Sequence, residues 1–366
     1  MKLKVKDLCS FMESWAPAGY AASWDRVGLH TGHPESEVHT VLVSLSVTSE
    51  TVQEAKRHGA QMIIAHHPLL FRPLESLRED RPHSRLCAEI IRSNIACFSA
   101  HTNLDAAEGG VNDILAEKIG LQQTKPLLQD ESQKQLKLIT FVPESSVDAL
   151  RGSLAEAGAG TIGRYTHCSF QHSGIGTFFA GDGTDPVLGE KNTLNREPEL
   201  RLEMILPYSK KTPVLKALLK SHPYEEPAYD LIALENPDPY MGLGRQGSLE
   251  EPVALSDFAK HVRKVLQLPH LICYGENDRT VQTVAVLGGS GGKLIAAIPA
   301  GIDVYVTGDI GYHDAELATA RGLACVDAGH WGTELPVVET MKNKLKAAFP
   351  ALSVISFLEK APGTFM

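Results

Sequence analysis

The chain has 366 residues, 43% hydrophobic and 22% charged, with a formal net charge of −9, which is ordinary for a globular protein of two or three domains. No block of Lys and Arg appears, which argues against nucleic acid as a partner. The longest apolar candidate, 284–306, is broken by Lys293 and Asp303, which argues against a membrane span. Cys9, Cys87, Cys97, Cys168, Cys273 and Cys325 are scattered and include no Cys-x-x-Cys, pointing to reduced thiols and a cytoplasmic protein. The first fifteen residues lack an apolar signal core and read as a helix of the mature protein.

In chain order, residues 6–15 predict an amphipathic helix closed by Pro17. Residues 22–29 read as a polar loop carrying Trp24. A strand over 38–47 precedes a helix over 49–58, capped by Thr48 or Ser49 with Gly59 at its end. Ile63-Ile64-Ala65 predicts a buried strand that stops at His66-His67-Pro68, because proline lacks the donor a ladder needs. Adjacent strand residues point to opposite faces, so both imidazoles reach one site only if the strand ends there. That carboxyl end is where α/β sheets bind ligands. A helix over 84–93 and a strand over 95–100 follow, the strand ending in His101-Thr102-Asn103-Leu104-Asp105. Residues 110–119 predict a helix stopped by Gly120. Strands alternating with short helices indicate βαβ units and a mostly parallel sheet.

From about residue 126 the texture changes. Residues 123–134 are polar and linker-like. Strands are predicted over 136–142, 165–171, 175–181, 200–206 and 228–234, and helices over 145–157 and 212–220. This order approaches the ferredoxin-like split βαβ pattern with one extra strand. Residues 126–240 therefore read as an inserted α+β domain between two outer segments, 1–125 and 241–366. His222, Glu225 and Glu226 could form a metal site, but Pro223 and Pro227 favour a rigid turn after a helix.

Past residue 250 the first texture returns, with a helix over 256–266 and a strand over 281–287. The run Gly288 to Gly292 fails the Walker and dinucleotide spacings. It either presents N–H groups to an anion or makes a tight strand-to-helix turn. A strand over 303–307 leads into Asp309 and His313, and one over 325–327 leads into His330 and Glu334, before a last helix over 337–348. The outer segments share this order of elements, setting His66-His67-Pro68 against 308–314 and 100–105 against 327–334. Such a weak repeat predicts two similar α/β halves whose strand ends face one another across a cleft. Histidines and carboxylates together are the ligand set of zinc, iron or manganese hydrolytic sites. Five of them serve two metals if one carboxylate bridges.

The segments His66-His67-Pro68-Leu69-Leu70-Phe71, 101–105, 327–334, 307–314 and the glycine run together resemble the NGG-interacting-factor family of dinuclear-metal proteins. Bacterial members of that family are commonly named GTP cyclohydrolase 1 type 2 homologs. The resemblance implies metal ligands at His66, His67, Asp105, His330 and Glu334, with the glutamate bridging two divalent ions. Zinc is the first candidate, with iron or manganese as alternatives. It also implies a PII- or CutA-like insert, matched by His222-Pro223-Tyr224-Glu225, and a homo-oligomer, commonly a hexameric ring. His101 becomes a candidate for substrate contact or for supporting a ligand, and His313 and Asp309 for substrate contact or proton transfer, against a helix cap or a partner of a metal ligand. Trp24, Asp25 and Gly28 match a family loop that either faces substrate or packs. Ser46 departs from the family's usual Asp, which bears on substrate-side chemistry and not on the matched ligands.

The charge of two divalent ions exceeds that of Asp105 and Glu334 by about two units, which favours an anionic small molecule such as a phosphate or nucleotide. Water on such an ion has its pKa brought toward about 7, so the resulting hydroxide makes hydrolysis the natural chemistry. The family name implies opening of the guanine imidazole ring of GTP with loss of formate. Two other readings stand beside it. One is a metal-dependent phosphoesterase or amidohydrolase on another substrate, and the other a non-catalytic, ring-forming metal-binding regulator.

Overall fold

Val5, Leu8 and Met12 recur on one face of the first helix, α1 (Val5–Trp15), and are buried. Asp7 closes its first turn by accepting the Lys4 N–H at 2.8 Å. The elements are those of a computed structural model that describes residues 2–129, 134–238, 241–361 and 363. After α1 come β1 (Gly28–Thr31), β2 (Thr40–Ser44), α2 (Ser49–Arg57), β3 (Met62–Ala65), α3 (Pro82–Arg92), β4 (Ala96–Ser99), α4 (Thr102–Ala106), α5 (Val111–Ile119) and β5 (Gln122–Gln129). Next are β6 (Lys134–Val142), α6 (Val147–Glu156), β7 (Phe170–Phe179), β8 (Leu194–Leu206), α7 (Lys211–Ser221) and β9 (Tyr229–Pro237). The chain continues with β10 (Gly242–Ala254), α8 (Leu255–Val265), β11 (Ile272–Tyr274), β12 (Thr280–Ser290), β13 (Val304–Gly308) and α9 (Tyr312–Ala320). It closes with β14 (Ala324–Asp327), α10 (His330–Glu334), α11 (Pro336–Ala348) and β15 (Ser353–Ser356).

Two units result, Met1–Gln129 with Tyr240–Met366, and Asp130–Pro239. The first holds two sheets, ordered β1-β4-β3-β2-β15 and β11-β14-β13-β12-β10-β5. The order β1-β4-β3-β2 recurs as β11-β14-β13-β12, with three parallel strands and an antiparallel edge in each. The central strands β3 and β13 are buried along their whole length, as parallel strands covered on both faces must be. Side-chain alternation then makes two cores per sheet. Val41, Val43, Met62, Ile64 and Phe98 pack with α1 and α11, while Leu42, Ile63 and Cys97 pack with α2 and α3. In the second sheet, Val284, Val304, Val306 and Val326 pack with α8 and α5, and Ala285, Tyr305 and Cys325 with Ile295 and Ala318. All four parallel strands that precede site residues, β3, β4, β13 and β14, deliver them at their carboxyl ends.

The second unit is an antiparallel sheet, β7-β8-β6-β9, with Leu138, Leu202 and Met204 packed against Leu150 and Leu154 of α6 and Val214 and Leu218 of α7. Its element order is β-α-β-β-α-β. The two strands expected over 165–171 and 175–181 are one strand, β7, because Gly174 and Gly176 continue its pairing with β8.

Other expectations need correction. The linker-like 123–134 carries β5 and the start of β6, its residues 130–133 lying outside those described. Pro126 is tolerated in β5 because that strand is an edge, paired with β10 alone. Loop 22–29 ends inside β1, and 101–105 is largely helix α4. The glycine run completes β12 and opens a short 3-10 turn, Gly292–Ala297, in place of an α-helix. Strands β10 and β15 had no counterpart in the expected elements. Among the described residues no helix is long and apolar enough to cross a membrane.

Candidate metal centre

His66 and His67 follow the last residue of β3, and each backbone N–H still bonds the neighbouring strand's end, to Ser44 O at 3.3 Å and Leu45 O at 2.8 Å. That contact fixes both side chains at one place. His66 Nδ1 lies 2.8 Å from the Ala100 carbonyl, which only accepts, so Nδ1 donates to it and Nε2 is the nitrogen turned to the site. On α4, Asp105 is held by the Asn112 amide, which donates to its backbone oxygen at 2.9 Å. Asn112 also accepts the Gly288 N–H at 2.8 Å, tying the two sheets' loops together at the site. On α10, His330 and Glu334 are four residues apart and share a face, with Nε2 and Oε2 separated by 3.2 Å.

Glu334 is common to two of the groups that these elements bring together: His66, Asp105 and Glu334, and His67, His330 and Glu334. Its oxygens divide between them. Oε1 is 3.7 Å from His66 Nε2, while Oε2 is 2.9 Å from His67 Nε2. A third group joins His66, His67 and His101, and in each group the ligand atoms lie within 4.8 Å of one another. His66 Nε2 and Asp105 Oδ1 are 3.6 Å apart, buried, and without a hydrogen-bond partner. A buried polar atom left so costs about 1–3 kcal/mol. Once the imidazole gives up its proton, these two atoms facing each other beside a carboxylate fit a cation, and imidazole with carboxylate suits a borderline divalent one.

The protonation of the site follows from this crowding. Burial works against a charge on His66, yet Asp105 and Glu334 raise its pKa to about 9. Contact with Glu334 raises His330 to about 9. Burial lowers His67 and raises Asp105 to about 6. It also opposes ionisation of Glu334, but the imidazoles of His330, His66 and His67 hold that carboxyl well below its usual range.

Around this cluster stand residues that hold the ligand groups in place. Asp309 Oδ2 meets His330 Nδ1 at 2.8 Å from a left-handed backbone, φ 56°. Ser46 Oγ meets His67 Nδ1 at 2.8 Å and orients that imidazole. Ser46 and Leu45 donate their N–H groups to the Glu359 carboxylate, whose backbone oxygen accepts the Trp331 indole N–H at 3.1 Å. His101 Nδ1 lies 3.0 Å from Asp25 Oδ1. The glycine run spends its first two N–H groups internally, on Asn112 and on Thr333 Oγ1 at 2.9 Å. Its observed role is close approach, since a Cβ at Gly289 would lie 2.2 Å from Glu334 Oε1.

His313 does not join the cluster. Its side chain is 90% exposed and meets Glu316 at 3.0 Å. His222 uses both ring nitrogens on backbone, Phe141 O and the Tyr224 N–H, each at 3.1 Å. Of the orienting residues, Ser46 and Asp25 carried a motif signal, while Glu359, more than 300 residues from its partner Ser46 in sequence, carried none.

Fold and site define a class: a two-sheet α/β protein with histidine and carboxylate groups at facing strand ends, able to hold a metal ion. The chain belongs to the Duf34/NIF3 (NGG1p interacting factor 3) family, whose model matches residues 3–362. It is 41% identical over 335 residues to a GTP cyclohydrolase 1 type 2 homolog of Halalkalibacterium halodurans, covering 91% of this chain and 90% of that one. A protein of the same name from Bacillus subtilis is 40% identical over 331 residues, covering 90% and 89%. A solved structure described as a Bacillus cereus protein related to NIF3 is 39% identical, covers 100% of both chains and has a TM-score of 0.85.

Proposed function

We propose that the protein is a metal-dependent hydrolase that holds two divalent ions, zinc first and iron or manganese as alternatives. The observation that carries this reading is the unsatisfied buried pair His66 Nε2 and Asp105 Oδ1 beside a carboxylate whose two oxygens face different histidines. In it, His66 and Asp105 would hold one ion and His67 and His330 the other, with Glu334 shared between them. Divalent ions there supply Lewis acidity and a nucleophile at neutral pH. Ser46 and Asp309 keep Nε2 of His67 and His330 directed at the site, as outer partners of metal-binding imidazoles do. In this reading His101, backed by Asp25, exchanges a proton with the substrate.

The substrate in this reading is an anionic, nucleotide-like molecule. The relatives' name suggests GTP, with ring opening and loss of formate. The β-α-β-β-α-β unit is read as an inserted ferredoxin-like domain of the PII or CutA kind, and the assembly as a cytoplasmic homohexamer. Six free cysteines accord with that compartment. The test is zinc-loaded protein incubated with GTP. Formate release that stops on chelation is the expected result, and no turnover of GTP or of a phosphoester and amide panel would contradict hydrolase function.

A further inference from the structure

The outer wall of the site has a feature that metal binding leaves without a task. Trp24 and Phe71 are 57% and 48% exposed. They meet edge to face at 5.8 Å, and each also meets the His101 ring edge to face, at 6.2 and 6.3 Å. His101 in turn lies 5.2 Å from His66 and 5.7 Å from His67. One imidazole therefore separates an exposed aromatic corner from the candidate metal ligands. Clustered apolar rings left in water mark a binding surface.

Both rings are displayed on anchored backbone. Asp25, beside Trp24, is buried; its Oδ2 accepts the Thr102 N–H at 3.0 Å and hydroxyl at 2.5 Å, and its Oδ1 accepts the Arg26 N–H at 2.7 Å. Ala22 donates its N–H to Thr102 Oγ1 at 2.9 Å. Beside Phe71, the Leu70 N–H donates to His30 Nδ1 at 3.0 Å. A surface fixed in advance loses little entropy on binding. Next to the corner, Asp25, Arg26, His30, Leu70 and Arg72 line a cleft of about 630 Å³. Of the next four arginines in sequence, Arg78, Arg81 and Arg92 are paired with Asp80, Glu75 and Glu79, while Arg85 makes no ion pair among the described residues. Arg26 Nη1 donates to the Asp25 backbone carbonyl at 3.3 Å, and neither Arg26 nor Arg72 has a carboxylate partner among the described residues. Two guanidinium groups without a carboxylate partner at one cleft of a chain with net charge −9 are suited to an anion.

We propose that Trp24 and Phe71 receive the planar ring of this site's ligand and that Arg26 and Arg72 receive its anionic group. The ligand class is thus a planar heteroaromatic compound bearing a phosphate or carboxylate. The assignment rests on the metal-site reading above for what happens on the far side of His101. The test is titration of zinc-loaded protein with GMP, guanosine and ribose 5-phosphate, read by calorimetry and tryptophan fluorescence, with metal content measured on every variant. GMP should bind more tightly than either half-molecule. Trp24→Ala and Phe71→Ala should each weaken GMP about ten- to a hundredfold with metal retained, and Trp24→Phe should recover most of the loss. Arg26→Ala with Arg72→Ala should bring GMP to the affinity of guanosine. Unchanged GMP binding by Trp24→Ala overturns the proposal, as does wild-type protein that ignores GMP at millimolar concentration. A Trp24→Ala change in oligomeric state without any GMP binding would assign the corner to a second copy and overturn it too. Failure of the metal reading looks different, as protein without bound metal.

Discussion

Replacing Gly289 with alanine should remove metal from this protein more than it unfolds it. At this position φ is +73°, and a Cβ would lie 2.2 Å from Glu334 Oε1 and 3.3 Å from His330 Nε2. Ordinary contact begins near 3.4 Å, so the carboxylate must retreat by roughly 1 Å. Its Oε2 sits 2.9 Å from His67 and 3.2 Å from His330, so such a retreat takes at least one contact beyond hydrogen-bonding range. The left-handed backbone adds about 1–2 kcal/mol. Gly120 is the control: φ is +88° and a Cβ there meets nothing within 4 Å. Gly120→Ala should therefore show only the backbone cost, about 1 kcal/mol, with metal content intact. Elemental analysis and thermal unfolding of both variants side by side make the comparison. Equal stability loss and equal metal content in the two would refute the reasoning.

Ser46→Ala removes the partner of His67 Nδ1 and should weaken metal binding about 10- to 100-fold, while Ser46→Asp should retain it; competition with a chromophoric chelator measures both. Asp25→Asn keeps the shape of a buried side chain that binds Thr102, Arg26 and His101, and should lower stability in urea by about 1–3 kcal/mol; an unchanged midpoint would mean the charge there does nothing. The third prediction concerns pH. Without metal, His66 and His330 have pKa values raised to about 9, so their contribution to stability is fully present below their unfolded value near 6.5 and is lost as pH rises through 9. The metal-free melting temperature should fall across that window. Metal binding needs neutral imidazoles, so uptake should release protons and tighten as pH rises over the same range. Calorimetry in buffers of different ionisation enthalpy counts those protons, and a pH-independent affinity would contradict the assignment.

The site-bearing strands were legible because buried parallel strands are short apolar runs, and each of β3, β4, β13 and β14 ends in a histidine or carboxylate that breaks the run. The repeat was legible for the same reason. Strand β10 was not, because GLGRQGSLEEPVA neither alternates nor is apolar; its ladder is completed by β12 and β5, which sequence distance hides. The register of β5 likewise depends on a partner more than a hundred residues away. Spacing and resemblance singled out His66, His67, Asp105, His330 and Glu334, and these converge in space. They cannot say what each second imidazole nitrogen touches. The Ser46 hydroxyl on His67 and the Glu359 carboxylate on Ser46 are contacts that only the folded chain creates. Asp309 and His313 lie four residues apart in sequence and looked equivalent; the left-handed turn at Asp309 sends it to His330, while His313 starts an exposed helix.

The central claim is that Glu334 is shared by two metal ions. Its most direct test is the number of zinc ions per chain in wild-type and Glu334→Ala proteins after zinc loading and desalting, with circular dichroism to verify that both are folded. Two ions in the wild type and fewer than two in the variant is the expected result. A folded Glu334→Ala protein that keeps two zinc ions per chain would contradict the claim.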